Sequence, residues 1–292
     1  MRRLFWMPLL LIAVLTFPAL AAPSLGVPSG YLFLPNAQVA PMEAWDTGLA
    51  YVHTAGDNQL GALDVGGGPP CDSDGFVLRG ITGLSETVEV GAGLQYVDKS
   101  YGSATAYILS AKAQVWDDAA KGLSAAVGLL YRDWNANMSF DTFSGSIDME
   151  LPSIFSAYLA VDKAWGGEDG EAAGLATLGL MYDRFESTRQ LSNTGWVVSP
   201  ISWPIWADGT VRSKSAVSPF VGFEFSQGDL TWLGEYKPRI DDNGFNYADD
   251  LWGLAVRKQL NPDLTLTAGV TSFNLPYTDA DMGFYLDAAW VF

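Results

Sequence analysis

The chain is poor in the residues that most chemistry relies on. It has one histidine, His53, and one cysteine, Cys71, in 292 residues. A single thiol forms no internal disulfide, and no Cys/His metal-ligand spacing is present. No Gly-x-Ser-x-Gly elbow occurs, and nothing nominates a nucleophile for His53 to activate, so neither a catalytic residue nor a cofactor is expected. Basic residues are scarce as well. Sixteen Lys and Arg stand against 33 Asp and Glu, a net charge of −17. Nucleic acid needs a basic surface, which removes it as an expected partner. Charged residues of both signs amount to only 17% of the chain. Beyond the N-terminal end, no apolar run approaches the roughly 20 residues that a membrane-spanning helix needs.

What is abundant is aromatic and small: 11 Trp, 12 Tyr and 31 Gly. That mixture suits strands with one apolar face, one small or polar face, and aromatic rims. At the N-terminus, Arg2 and Arg3 precede the apolar run Leu4 to Leu15 and then Ala19-Leu20-Ala21. A charged start, an apolar run and a small-x-small site read as a signal peptide, residues 1–21. No Cys stands at the cleavage site, which argues against a lipoprotein. Residues 22–46 form a lead-in, and 47–292 read as one unit without a linker.

Twelve segments of about ten residues alternate apolar with small or polar side chains. They are Thr47–Thr54, Phe76–Gly83, Val88–Val97, Ala104–Trp116, Leu123–Trp134, Ile154–Lys163, Leu175–Arg184, Val217–Ser226, Leu230–Lys237, Leu251–Gln259, Leu264–Phe273 and Met282–Phe292. The connections after even-numbered segments are all short. The long ones, Ala55–Gly75, Asn135–Ser153, Phe185–Ala216 and Pro238–Asp250, follow odd-numbered segments. A soluble sandwich gives no reason for that alternation, whereas a membrane barrel with short turns on one side and long loops on the other does. The expected fold is all-β: a transmembrane antiparallel up-and-down β-barrel of about twelve strands. Tyr96, Tyr131, Tyr182 and Tyr236 fall near the loop end of upward strands, where amphipathic rings mark a headgroup level.

The closing segment places Phe284, Leu286, Ala288, Trp290 and Phe292 on one face and stops on an aromatic. It resembles the C-terminal assembly signal of bacterial outer-membrane β-barrels, carried by Phe284, Leu286, Trp290 and Phe292. The resemblance implies an outer-membrane location, recognition by the barrel assembly machinery, and contact with membrane lipid and glycolipid. The lead-in Pro28-Ser29-Gly30-Tyr31-Leu32-Phe33-Leu34-Pro35-Asn36-Ala37-Gln38-Val39 is similar to the entry of the YjbH-type exopolysaccharide-associated barrels. Leu233-Gly234-Glu235-Tyr236 and Asn243-x-Gly-x-Asn-Tyr247 are similar to a hairpin of that group. The chain departs from the group in being short and in lacking its lipoprotein Cys. The lead-in reads equally as a luminal plug or a plain periplasmic tail.

If the apolar face meets lipid, the charges facing inward are Arg79, Glu89, Lys112, Arg132, Asp162, Asp183, Glu224, Glu235, Lys237, Arg257 and Asp287. On the lipid side each mid-bilayer Lys or Arg would cost roughly 2–4 kcal/mol. Five are basic and six acidic, so the lumen is mixed in sign, which fits a weakly selective channel or a salt-bridged interior. Inward Gly91, Gly93, Ala126, Gly128, Gly179, Gly222, Gly253 and Gly269 are expected to leave room for water. Trp196, Trp203 and Trp206 suggest a loop folded into the barrel mouth as a constriction, or a binding surface. The acidic outer loops, with Asp57, Asp64, Asp72, Asp74, Asp241, Asp242, Asp249 and Asp250, read most simply as solvated charge. The expected function is porin-like passive diffusion of small hydrophilic solutes. The alternative is a non-conducting barrel that assists envelope assembly or exopolysaccharide export. A homo-oligomer is left open.

Overall fold

The computed structural model describes residues 28–58, 73–99, 102–142, 145–149, 153–166, 173–189, 210–238, 250–272 and 278–292. Its strands are β1 (Trp45–Asn58), β2 (Ser73–Ser85), β3 (Val88–Lys99), β4 (Gly102–Asp118), β5 (Leu123–Thr142), β6 (Gly145–Met149), β7 (Ser153–Gly166), β8 (Ala173–Arg189), β9 (Thr210–Gln227), β10 (Leu230–Lys237), β11 (Leu251–Asn261), β12 (Leu264–Thr271) and β13 (Thr278–Val291). Every pairing is antiparallel between neighbours. Pairing of β1 with β13 closes the sheet into a barrel of 12 strands, and β6 lies outside that ring. Closure leaves no unpaired edge, which is the condition a sheet must meet in lipid.

Tight turns join the strands at one end. Gly228 adopts φ 64° between β9 and β10, and Gly122 adopts φ 58° after a single 3-10 turn, Ala119–Lys121, between β4 and β5. Asn261 Oδ1 accepts from the Asp263 amide at 2.9 Å in the turn before β12. Long connections occupy the opposite end. One sequence expectation needs correction here. Asn135–Ser153 is not a plain loop, because β5 runs on to Thr142 and pairs with β6 as a hairpin from Met138↔Met149 to Thr142↔Gly145. The hairpin stands beyond the stretch where β5 pairs with β7, Leu123 to Arg132.

Alternation decides the two faces, since successive side chains on a strand point opposite ways. Leu109, Leu129, Leu159, Leu180, Leu254 and Leu286 are exposed on the outside of the wall. An apolar surface of this extent is stable against lipid and unfavourable against water. It is bounded at the turn end by Trp45, Trp116, Trp165, Trp232 and Trp290, all exposed. Toward the loop end stand Tyr96, Tyr107, Tyr131, Tyr182 and Tyr236, also exposed. The rings thus form two girdles, with indoles at one rim and phenols at the other. In the closing strand Phe284, Leu286, Trp290 and Phe292 all face outward, and Phe292 is tied by its amide to the Trp45 carbonyl at 2.8 Å.

Candidate functional site

Inside the ring lies the lead-in. It enters at the turn end, where Met42 bridges Gly83 in parallel and the Gly83 amide donates to the Pro41 carbonyl at 3.2 Å. Ser29 to Asn36 then folds into a tight hairpin. Gly30 bridges Pro35, the Tyr31 amide donates to the Leu34 carbonyl at 3.0 Å, and the Asn36 amide donates to the Ser29 carbonyl at 3.4 Å. A Cβ at position 30 would collide with the Leu34 carbonyl, so glycine is required there. The four-residue run between Gly30 and Pro35, Tyr31-Leu32-Phe33-Leu34, leaves several amides without internal acceptors. In a low-dielectric lumen such amides need outside partners.

Three wall carboxylates supply them. Glu235 on β10 accepts the successive amides of Leu32, Phe33 and Leu34, at 3.2 Å, 3.1 Å and 2.9 Å to Oε2. Three consecutive N–H groups converging on one anion form a nest. Glu89 on β3 accepts the Ser29 amide at 2.9 Å, the Ser29 hydroxyl at 2.6 Å and the Ala40 amide at 2.7 Å. Lys112 on β4 stands 3.2 Å from Glu89 and donates to the Ser29 carbonyl at 3.0 Å and to the Ser29 hydroxyl. Asp162 on β7 accepts the Ala37 amide at 2.9 Å and the Thr177 hydroxyl at 2.7 Å. Thr177 in turn meets the Tyr31 hydroxyl at 2.6 Å.

Apolar packing completes the fit. Tyr31, Leu32, Leu34 and Ala37 are at most 1% exposed. Four of the inward glycines do not leave room for water as expected. A Cβ at Gly222 would strike the Tyr31 ring, and one at Gly253 would strike Leu32. Gly128 is covered by Tyr158, and Gly179 by Phe220. Small wall residues here are sockets for large rings and for the lead-in. Tyr31 and Leu32 share an apolar cluster with Ala50, Val52, Val77, Val97, Ala104, Ala106, Trp134, Leu233, Ala255 and Tyr285, so wall side chains from eight strands join the lead-in across the lumen.

The remaining inward charges pair across the wall. Arg79 on β2 meets Asp287 on β13 at 2.7 Å, and Lys237 on β10 meets Asp183 on β8 at 2.7 Å. Asp183 also accepts the Ser156 hydroxyl at 2.5 Å. Arg257 and Glu224 are looser, at 3.9 Å. Arg132 on β5 has no carboxylate within salt-bridge distance among the described residues, and its Nε is buried without an acceptor. All eleven charges named from the sequence therefore sit on the inward side of the wall. Glu89, Lys112, Asp162 and Glu235 are drawn together by the lead-in, and the others are not.

Sequence reasoning missed the partners of the carboxylates, Ser29, Leu32, Phe33, Leu34, Ala37 and Ala40. The signal was an apolar hairpin with a glycine and a proline at its ends, lying where no strand could form. His53 has a partner that the sequence did not nominate. Its Nδ1 lies 2.9 Å from Asp74, which also accepts the Tyr51 hydroxyl at 2.5 Å. These groups are on the outward, exposed face near the loop end. Trp196, Trp203 and Trp206 lie outside the described residues.

No family model and no curated protein matches the sequence. Solved structures do match in shape. The translocator domain of the autotransporter NalP from Neisseria meningitidis aligns with 85% of this chain and 90% of its own, at TM-score 0.52 and 12% identity. The KdgM porin aligns over 84% of this chain and 99% of its own, at TM-score 0.47 and 8% identity. The outer membrane phospholipase A from Escherichia coli covers 84% and 91%, at TM-score 0.39 and 10% identity. The chain has the fold of outer-membrane β-barrels. At these identities the likeness speaks for the fold alone, and the neighbours named here include a translocator, a porin and an enzyme.

Proposed function

We propose that this protein is an outer-membrane channel for small hydrophilic solutes that rests closed, with residues 28–40 as its plug. The lipid-facing belt and its two aromatic girdles support the location, with the short turns on the periplasmic side. The observation that carries the closed state is the hairpin bound inside the lumen by Glu89, Asp162 and Glu235. A permanently open pore would leave those carboxylates hydrated. Hydrogen bonds to charged groups contribute about 1.5–3 kcal/mol each, so several together hold the segment until a ligand, a partner or a potential displaces it. The mixed charge of the wall would give the opened path weak ion selectivity.

The apolar cluster around Trp134 favours a second reading. It lies in the upper lumen on the wall itself, so release of the hairpin alone need not open a path. In that case the barrel conducts nothing and serves envelope assembly or polysaccharide export, the role that the lead-in's resemblance implies.

Liposome swelling separates the two. Mature protein is expected to admit small sugars slowly or not at all. A variant lacking residues 28–40, shown to be folded by its heat-modifiable gel mobility, is expected to admit them freely. A folded variant that still admits nothing sinks the channel reading and leaves the non-conducting barrel.

A further inference from the structure

Among the described residues, five cations face the lumen, and four of them have a carboxylate partner at 3.9 Å or less: Arg79, Lys112, Lys237 and Arg257. Arg132 is the exception. Asp183 on β8, the carboxylate whose charge acts on Arg132, is already held by Lys237 at 2.7 Å and by Ser156 at 2.5 Å. The Arg132 Nε is buried and makes no hydrogen bond, while the residue as a whole keeps partial exposure. A guanidinium carries five donors in a fixed fork, and removing it from water without an acceptor is costly. Replacement by an apolar residue would relieve that cost, so stability gives no reason for arginine here.

Its surroundings are short of acceptors too. Trp134, two positions along β5 on the same inward face, is 8% exposed and its Nε1 has no acceptor. Strand β5 rises from the turn at Gly122 toward the hairpin with β6, so both residues stand in the half of the lumen that opens toward the long loops. The lead-in hairpin is anchored on other strands and makes no hydrogen bond to Arg132: the wall groups that accept from it lie on β3, β7, β8 and β10.

The geometry points to an oxyanion site at Arg132, in the loop-side half of the lumen, that takes the carboxylate or phosphate group of a small solute. The proposal rests on the channel reading for its biological purpose, since it names the class of solute that the channel would admit. The site itself exists whether or not the barrel ever opens. A guanidinium fork matches a two-oxygen anion in a way that an ammonium or a chloride ion does not.

Calorimetric titration of the mature protein in detergent tests this at constant ionic strength, with chloride as the balancing ion. Acetate and inorganic phosphate are titrated separately, with glucose as the uncharged control. Saturable heat from acetate, phosphate or both is expected, and none from glucose; the stronger anion identifies the natural headgroup chemistry. Arg132→Gln is expected to weaken binding at least about tenfold while the barrel folds as well as wild type, because an unpaired charge has been removed. Arg132→Lys, which keeps charge and loses the fork, should also bind less tightly than wild type. No saturable heat from either anion, or equal binding by Arg132→Gln, overturns the site. Neither result bears on whether deletion of residues 28–40 opens the barrel, so the two proposals fail separately.

Discussion

The luminal carboxylates divide by what neutralises them. Asp183, Asp287 and Glu224 are met by cations on other wall strands, at 2.7 Å, 2.7 Å and 3.9 Å. Glu89, Asp162 and Glu235 instead take backbone amides of the lead-in, with Lys112 assisting at Glu89. The first group makes the wall self-sufficient across β2 and β13, β8 and β10, and β9 and β11. The second leaves the wall incomplete without residues 28–40. A charge satisfied by a side chain is independent of a mobile segment, whereas a charge satisfied by amides of a segment holds that segment in place. The comparison locates the plug's anchors on three strands and predicts that mutations in the two groups have different readouts.

The largest effect is expected at Glu89. Glu89→Ala strips Lys112 of its carboxylate in a fully buried setting and releases the Ser29 and Ala40 amides together. Urea unfolding in lipid vesicles should show a loss of about 3–5 kcal/mol, the usual cost of an orphaned buried charge. Conductance should rise in the same variant. Glu235→Ala comes next. It leaves three adjacent amides without their acceptor, and should raise conductance with a smaller stability loss, about 1–3 kcal/mol.

Gly253→Val tests the same group through packing. A side chain there occupies the space of Leu32, so the hairpin tip should be displaced and leak current should appear, while the wall pairs survive. The double change Arg79→Met with Asp287→Leu probes the other group. It removes both members of a buried pair, and stability should shift by no more than about 1 kcal/mol with no new conductance. A leak from this double variant would break the division, because it would make a wall pair part of the closure.

How much of this was legible in the sequence follows from period two. Alternation names which side of a strand faces inward, so it places Arg79, Asp162 and Asp287 and bounds the strand Leu230–Lys237 to the residue. Turn chemistry at Asn261-Pro262-Asp263 and Gln227-Gly228-Asp229 fixed where strands reverse. Alternation does not say how far a side chain reaches across a closed ring. Gly128 and Gly222 looked like space because the rings that fill them, Tyr158 and Tyr31, come from a neighbouring strand and from a segment about 190 residues earlier in the chain. The lead-in carries no strand period, and those of its amides that bond the wall find acceptors 49 to 203 residues away. Nothing local distinguishes it from a tail. The hairpin of β5 and β6 escaped notice for a different reason: β6 is five residues long, too short for a period to register.

The central claim is that residues 28–40 lie inside the barrel, and thiol accessibility tests it most directly. A cysteine is placed at position 32 in a Cys71→Ser background, and the refolded mature protein in vesicles is treated with a membrane-impermeant maleimide. Thr87→Cys, in the exposed turn between β2 and β3, serves as the reactive reference. Leu32, 1% exposed beneath β11, should label more slowly than the reference by roughly the two orders of magnitude that a locally closed site confers. Labelling at the reference rate in a folded barrel would put the lead-in outside as a tail, and the closed-channel account would fall with it.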